Sequence, residues 1–175
     1  MSHKKGLIII NTGTGKGKTT AALGVALRAV GHDLKVTMIQ FIKGRWRTGE
    51  YRAVSKLAPN FEIIRTGLGF TRLSKNIERD KAEAQNGWKP AKQKIESGLY
   101  DIVILDELTH AINLGFVELE DVLETLSKKA ETLHVIITGR DAPKEMIDIA
   151  DLVTEMKLVK HPYSEHVPAQ RGIEF

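Results

Sequence analysis

The sequence predicts an α/β fold in which a mostly parallel, six-stranded central sheet is covered by helices on both faces. Three observations predict it. Short apolar runs alternate with longer amphipathic segments along the whole 175-residue chain. Several of these runs are apolar without interruption, as strands buried on both faces must be. The first run leads straight into a glycine-rich stretch, NTGTGKGKTT at positions 11 to 20, and then into a helical pattern. Strands separated by helices require right-handed crossovers, which produce a three-layer sandwich.

Taken in order, Leu7–Ile10 is the first buried strand. Lys18–Val30 is a helix with Leu23, Leu27 and Val30 on one face, and Gly31 supplies the stop. Lys35–Ile39 is the second strand and Phe61–Arg65 a weaker third. The polar stretch from Asn76 to Gly98 has helical length, but it contains Gly87 and Pro90. Proline cannot donate to the carbonyl four residues earlier, so a kink or break is expected there. Asp101–Leu105 is a fourth strand of high apolarity. Glu118–Lys129 is a helix, with Leu119, Val122, Leu123 and Leu126 at i, i+3, i+4 and i+7. Leu133–Thr138 and Leu152–Met156 complete the strands, and the tail from Val159 carries Pro162, Pro168 and Gly172, which favour an ordered or semi-ordered loop. One domain spans residues 1–175, with 159–175 as its C-terminal loop.

Composition limits the function. With 42% hydrophobic residues the chain has enough apolar mass for one full core. A net charge of +4 suits an anionic ligand without demanding nucleic acid, which usually brings more charge and more aromatics than the 6% here. The basic segment KGRWRTGEYR, Lys43 to Arg52, reads as a solvated loop and helix face. The absence of cysteine excludes disulfides, thiolate metal sites and cysteine nucleophiles. No stretch has the length of a membrane span, and the expected location is the cytoplasm.

The glycine-rich stretch has the chemistry of a phosphate-binding loop. The common spelling is G-x-x-x-x-G-K-[ST], but here Thr12 stands where the first glycine belongs. Counted from Gly13 the loop is one residue short. Its backbone N–H groups, from Gly13 through Thr14, Gly15, Lys16 and Gly17, face an anion at a helix N-terminus. Lys18 reaches phosphate oxygens, Thr19 presents its hydroxyl to Mg²⁺, and Thr20 follows in the helix. A second signal is DIVILDE, which sets Asp106 and Glu107 at the end of an apolar strand, where carboxylates hold Mg²⁺ directly or through water. Ligands of open parallel sheets lie beyond the carboxyl ends of the strands. That rule adds a ring of polar positions: Asn11, Gln40, Lys43, Thr66, Gly67, Thr109, Thr138 and Arg140. Each alone also fits a cap or turn. Arg140 is the best candidate ligand among them, as a cation beside phosphate.

The stretches NTGTGKGKTTAALGVALRAVGH, QFIKG, ILDELTHAINLGFV, VIITGR and KHPYSEHVPAQRGIEF together resemble the P-loop ATP:corrinoid adenosyltransferases, from about Gly6 to the C-terminus. The resemblance implies a RecA-like P-loop fold and a particular reaction. Cobalt(I) of a reduced corrinoid attacks the 5′-carbon of ATP, the adenosyl group goes to cobalt, and triphosphate leaves. The nucleophile is then the substrate itself, so an acid–base apparatus is not needed. By resemblance, phosphate contacts fall on Gly13 to Thr20, and the magnesium ligands on Thr19 and Glu107. Arg28, Arg140 and His161 match positions lining the nucleotide or corrinoid site, and Phe70 matches an aromatic under the corrin ring. A homodimer and an electron-donating reductase or flavodoxin-like protein are implied as partners. Two departures stand out. Arg72 occupies the place of a tryptophan in the family's GFTW stretch, and only a few residues precede the first strand, where relatives often carry an extension. The other readings of the same residues are a P-loop ATPase coupled to a partner and a nucleotide-binding sensor.

Overall fold

The computed structural model describes residues 5–42, 48–66 and 77–174, with the backbone alone for 77–85. Six strands form one sheet: β1 (Ile8–Thr12), β2 (Val36–Gln40), β3 (Phe61–Arg65), β4 (Ile102–Asp106), β5 (His134–Thr138) and β6 (Leu152–Glu155). Their order is β3-β2-β4-β5-β1-β6, and every pairing is parallel. The helices are α1 (Lys18–Val30), α2 (Gly49–Ala53), α3 (Ile77–Glu96), α4 (Leu108–Asn113), α5 (Leu119–Ser127) and α6 (Lys144–Ile149). The six expected strands are all present. The short helices α2, α4 and α6 were not anticipated, because five or six residues are too few to display a 3.6-residue period. No helix among the described residues is long and apolar enough to cross a membrane.

The pleat divides the core in two. Ile39, Phe41, Val103, Leu105, Val135 and Ile137 face one side, where they meet Trp88, Ala91 and Ile95 of α3, Leu108 and Ala111 of α4, and Val122 and Leu126 of α5. Val36, Met38, Ile102, Ile104 and Ile136 face the other side and meet Ala22, Ala26 and Ala29 of α1. Alternate residues thus feed opposite faces, and this is why β2 and β4 read as unbroken apolar runs.

The face of α1 differs from expectation. Its buried stripe is Lys18, Ala22, Ala26 and Ala29, while Leu27 lies on the exposed side. Leu23 and Val30 pack at the margin. Alanine methyls let the helix axis approach the sheet closely, and this brings the first turn of α1 down onto the strand ends.

The second difference concerns α3, which runs through Pro90 without a break. Tertiary contacts hold it. Trp88 Nε1 and Lys92 Nζ each donate to the Asp121 carboxylate of α5 at 2.6 Å. Gly87 has a steric reason. A Cβ placed there would lie 2.4 Å from Thr66 Oγ1 and 2.8 Å from Thr66 Cβ, just past the end of β3. Replacing Gly87 by alanine therefore sets two effects against each other. Helix propensity favours alanine by about 1 kcal/mol, whereas overpacking costs about 1–3 kcal/mol. Gly87→Ala is expected to lower the urea midpoint, and a raised midpoint would show that α3 does not rest on the end of β3.

Candidate functional site

The site is built where β1, β2, β4 and β5 end. Gln40 of β2 is in register with Asp106 of β4, and Thr138 follows Ile137, the partner of Leu105, so that the three stand side by side. All three are fully buried on the face covered by α1. The Asp106 carboxylate gathers them. Thr19 Oγ1 and Thr138 Oγ1 each donate to Oδ1 at 2.8 Å, and Gln40 Nε2 donates to Oδ2 at 3.2 Å. A carboxylate inside a protein needs such donors to remain there. Because Thr19 gives its proton to Asp106, the lone pairs of its hydroxyl oxygen are left for a cation.

Glu107 is fixed by its backbone. It adopts a left-handed conformation (φ 62°, ψ 28°) at the start of α4, uncommon for a residue with a side chain. Its N–H donates to Thr138 Oγ1 at 3.0 Å. Thr138 therefore aligns both acids, accepting from the backbone of one and donating to the carboxylate of the other.

The loop between β1 and α1 is folded onto the strand at the sheet edge. Gly13 has φ 96°, and a Cβ on it would lie 2.6 Å from Met156 O. Gly15 N–H donates to that same carbonyl at 2.6 Å, and Met156 N–H donates to Thr12 O at 2.8 Å. Lys18 is nearly buried, and its ammonium donates to Gly13 O and Gly15 O, both at 2.8 Å, inside the curve of the loop. Burial lowers its pKa below the usual lysine value. Glu107 opposes the shift, Arg140 adds to it, and Asp106 and Asp141 oppose it further. A positive charge held out of water beside two carboxylates is poised for an anion carrying its own cation.

The other anticipated residues fall variously. Thr12 is buried, and its hydroxyl accepts from Ala142 N–H at 3.2 Å. Thr14 and Thr20 are exposed, and Gly17 caps α1 in a left-handed conformation. Lys16 pairs with Glu174 at the far end of the chain. Arg140 is exposed, its carbonyl accepts from Thr109 Oγ1 at 2.7 Å, and its charge is felt at Lys18 and at His110, whose pKa is lowered by burial and then by Arg140. Arg28 lies exposed in the last turn of α1, roughly 15 Å along the helix from Lys18 at 1.5 Å per residue, so its own chain does not bring it to the loop. His161 is half-buried, and its Nδ1 accepts from Tyr163 N–H at 3.0 Å. Phe70, Arg72, Lys43 and Gly67 lie outside the described residues. Sequence reasoning missed the backing of the loop by Met156 and the Lys16–Glu174 pair. Neither has a local pattern, since each joins residues about 140 or more positions apart.

A divalent cation fits the donor set. Thr19 offers a hydroxyl oxygen, and Asp106 and Glu107 are neighbouring acids. Among the described residues no cluster of three or more histidine, cysteine or acidic side chains is arranged to hold a metal. A cation here must take its remaining ligands from phosphate and water, which is the habit of Mg²⁺.

Residues 4–175 match the family model described as ATP:corrinoid adenosyltransferase BtuR/CobO/CobP. The chain is 41% identical over 172 residues to the corrinoid adenosyltransferase of Escherichia coli strain K12, covering 98% of this chain and 87% of that one. It is 41% identical over 173 residues to the corrinoid adenosyltransferase CobA of Salmonella typhimurium, covering 99% and 87%. To the corrinoid adenosyltransferase of a Sinorhizobium species it is 40% identical, covering 99% and 82%. Among solved structures, the flagellar accessory protein FlaH from Methanocaldococcus jannaschii superposes with a TM-score of 0.53 at 16% identity, over 86% of this chain and 70% of that one, a likeness of fold alone.

The hydrogen bonds at Asp106 set a stability test that needs no ligand. Asp106→Ala strands the buried Thr138 hydroxyl, the half-buried Thr19 hydroxyl and the buried Gln40 amide donor, each worth about 1–3 kcal/mol when unmet and buried, less whatever re-pairing they find. The expected outcome is a clear loss of stability in urea without nucleotide. An unchanged midpoint would mean that the donors find other partners and that Asp106 does not organise the strand ends.

Proposed function

The chain belongs to the ATP:corrinoid adenosyltransferase family BtuR/CobO/CobP and transfers the adenosyl group of ATP to a corrinoid; from that premise we propose how its own residues divide the work. The triphosphate lies in the loop of Gly13 to Gly17, and Lys18 neutralises it. Mg²⁺, carried in with ATP, is held by Thr19 and Glu107, while Asp106 acts through the hydrogen bond it accepts from Thr19. When bound, the cation neutralises charge on the phosphate chain. The observation that carries the reading is the Thr19–Asp106–Thr138–Glu107 chain of hydrogen bonds beside a buried lysine.

The reaction places its demand on the leaving group. Cobalt(I) donates an electron pair to the 5′-carbon of ATP, the bond from that carbon to the triphosphate oxygen breaks, and the pair leaves on triphosphate. Charge grows on the oxygen nearest the sugar, so fixed donors and cations along the phosphate chain stabilise the transition state without reorganising. No side chain has to deprotonate a nucleophile. Arg140 adds a second cation at the mouth of the site. Phe70, Arg28 and His161 are proposed to serve the corrinoid side, Arg28 from a second subunit of a homodimer, since its own loop is distant. An electron-donating protein such as a flavodoxin-like reductase supplies cobalt(I), and a chain free of cysteine that uses ATP suits the cytoplasm.

Incubation with ATP, Mg²⁺ and chemically reduced cobalamin under anaerobic conditions should yield adenosylated corrinoid and inorganic triphosphate in equal amounts. ADP and phosphate instead would make the chain an ATPase. Lys18→Ala should weaken ATP binding by about tenfold or more, the value of a charge-assisted hydrogen bond. A near-normal affinity would remove Lys18 from the phosphate site. Glu107→Gln should keep the fold, judged by its circular dichroism spectrum, and raise the Mg²⁺ concentration for half-maximal rate. An unchanged Mg²⁺ dependence would take Glu107 out of the cation's shell.

A further inference from the structure

Gln40 has a property that the site described so far does not use. Its side chain is fully buried, Nε2 donates to Asp106, and Oε1 has no hydrogen-bond partner. The orientation of the amide is dictated by chemistry, because an ionised carboxylate only accepts, so the NH₂ must face Asp106 and the oxygen must face elsewhere. Its neighbours Met38, Ile39 and Phe41 are completely buried and apolar. An apolar residue at 40 would fill the same space with no unmet amide oxygen, at the loss of one donor to Asp106. A buried carbonyl without a donor is destabilising, so the oxygen is a ready place for a donor that arrives with the ligand.

We propose that Gln40 positions the cation that accompanies ATP, holding Asp106 with its amide nitrogen and accepting, through its amide oxygen, a hydrogen bond from a water in that cation's shell. The placement selects water over the sugar or base. Gln40 is one hydrogen bond from Asp106, and Asp106 is one from Thr19, the residue next to Lys18, so the acceptor lies at the phosphate end of the site. Mg²⁺ keeps several waters when it rides on phosphates, and those waters are strong donors because the ion polarises them. A neutral acceptor suits this place, where a third carboxylate would repel Asp106 and Glu107.

The inference rests on the cation reading above, and the test separates the two. ATP affinity is measured by calorimetry with Mg²⁺ and with a chelator, for the wild type and for Gln40→Met, a change of similar volume that lacks both amide groups. The cation's gain in affinity should shrink by about three- to tenfold in Gln40→Met. The chelated affinity should stay within twofold, while the thermal midpoint without ligand falls because Asp106 Oδ2 loses a donor. If both affinities fall by the same factor, Gln40 is a structural brace and the proposal is overturned. If the wild type gains full metal dependence and Gln40→Met keeps it, the proposal fails while the cation reading stands. If the wild type itself shows no metal dependence, the cation reading fails and this one with it. Should Gln40→Met not fold, the wild type labelled with ¹⁵N at glutamine side chains decides. Adding Mg²⁺ to the ATP complex should shift the Gln40 amide resonance, and no shift overturns the proposal.

Discussion

A single buried carboxylate organises this molecule's working end. Asp106 closes an apolar strand at the centre of the sheet, and it accepts hydrogen bonds there from donors drawn from β2, β5 and α1. Those donors reach it only if the three strands end in step and the first turn of α1 lies close to them. The alanine stripe of α1 supplies the close approach, and the all-parallel register supplies the alignment. Removing water from around these groups makes each hydrogen bond stronger and each error more costly. The polar row at the strand ends is therefore rigid by construction, and it can present Thr19 and Glu107 at fixed places without ligand-induced rearrangement of the sheet.

The shortened loop follows from its neighbour. Here the edge strand provides the shape, because Met156 receives the Gly15 N–H and gives its own N–H to Thr12. Any side chain on Gly13 or Gly15 would strike the Met156 carbonyl. The glycine pattern thus encodes contact with a segment about 140 residues away. Lys18, between the loop carbonyls and the two acids, is held by geometry rather than by a long flexible stem.

Most of this was legible in the sequence, for identifiable reasons. Uninterrupted runs such as IVIL at positions 102 to 105 can only be strands buried on both faces, and all six strands were found within a residue or two at each end. The phosphate loop and the Asp106–Glu107 pair were visible because their chemistry is local. The inward face of α1 was not, since leucine spacing points to one stripe and close packing against a sheet selects the smaller residues beside it. Pro90 misled because propensity knows nothing of Trp88 and Lys92 fastening α3 to Asp121. Gln40 was legible only as one of a ring of polar positions at the strand ends. Only burial reveals that its oxygen lacks a partner, and burial belongs to the fold.

The strand order has a consequence for how the chain comes into being. β1 holds residues 8–12, yet its two neighbours in the sheet are β5 and β6, residues 134–138 and 152–155. β1 is thus made more than a hundred residues before either strand it pairs with. The loop that follows it is likewise made well before the Met156 carbonyl that gives it shape. A chain that stopped short of residue 156 would carry the whole glycine-rich loop without the carbonyl it folds against. The order of synthesis thus separates the making of this loop from the making of its support, and the loop takes its shape long after its own residues are in place.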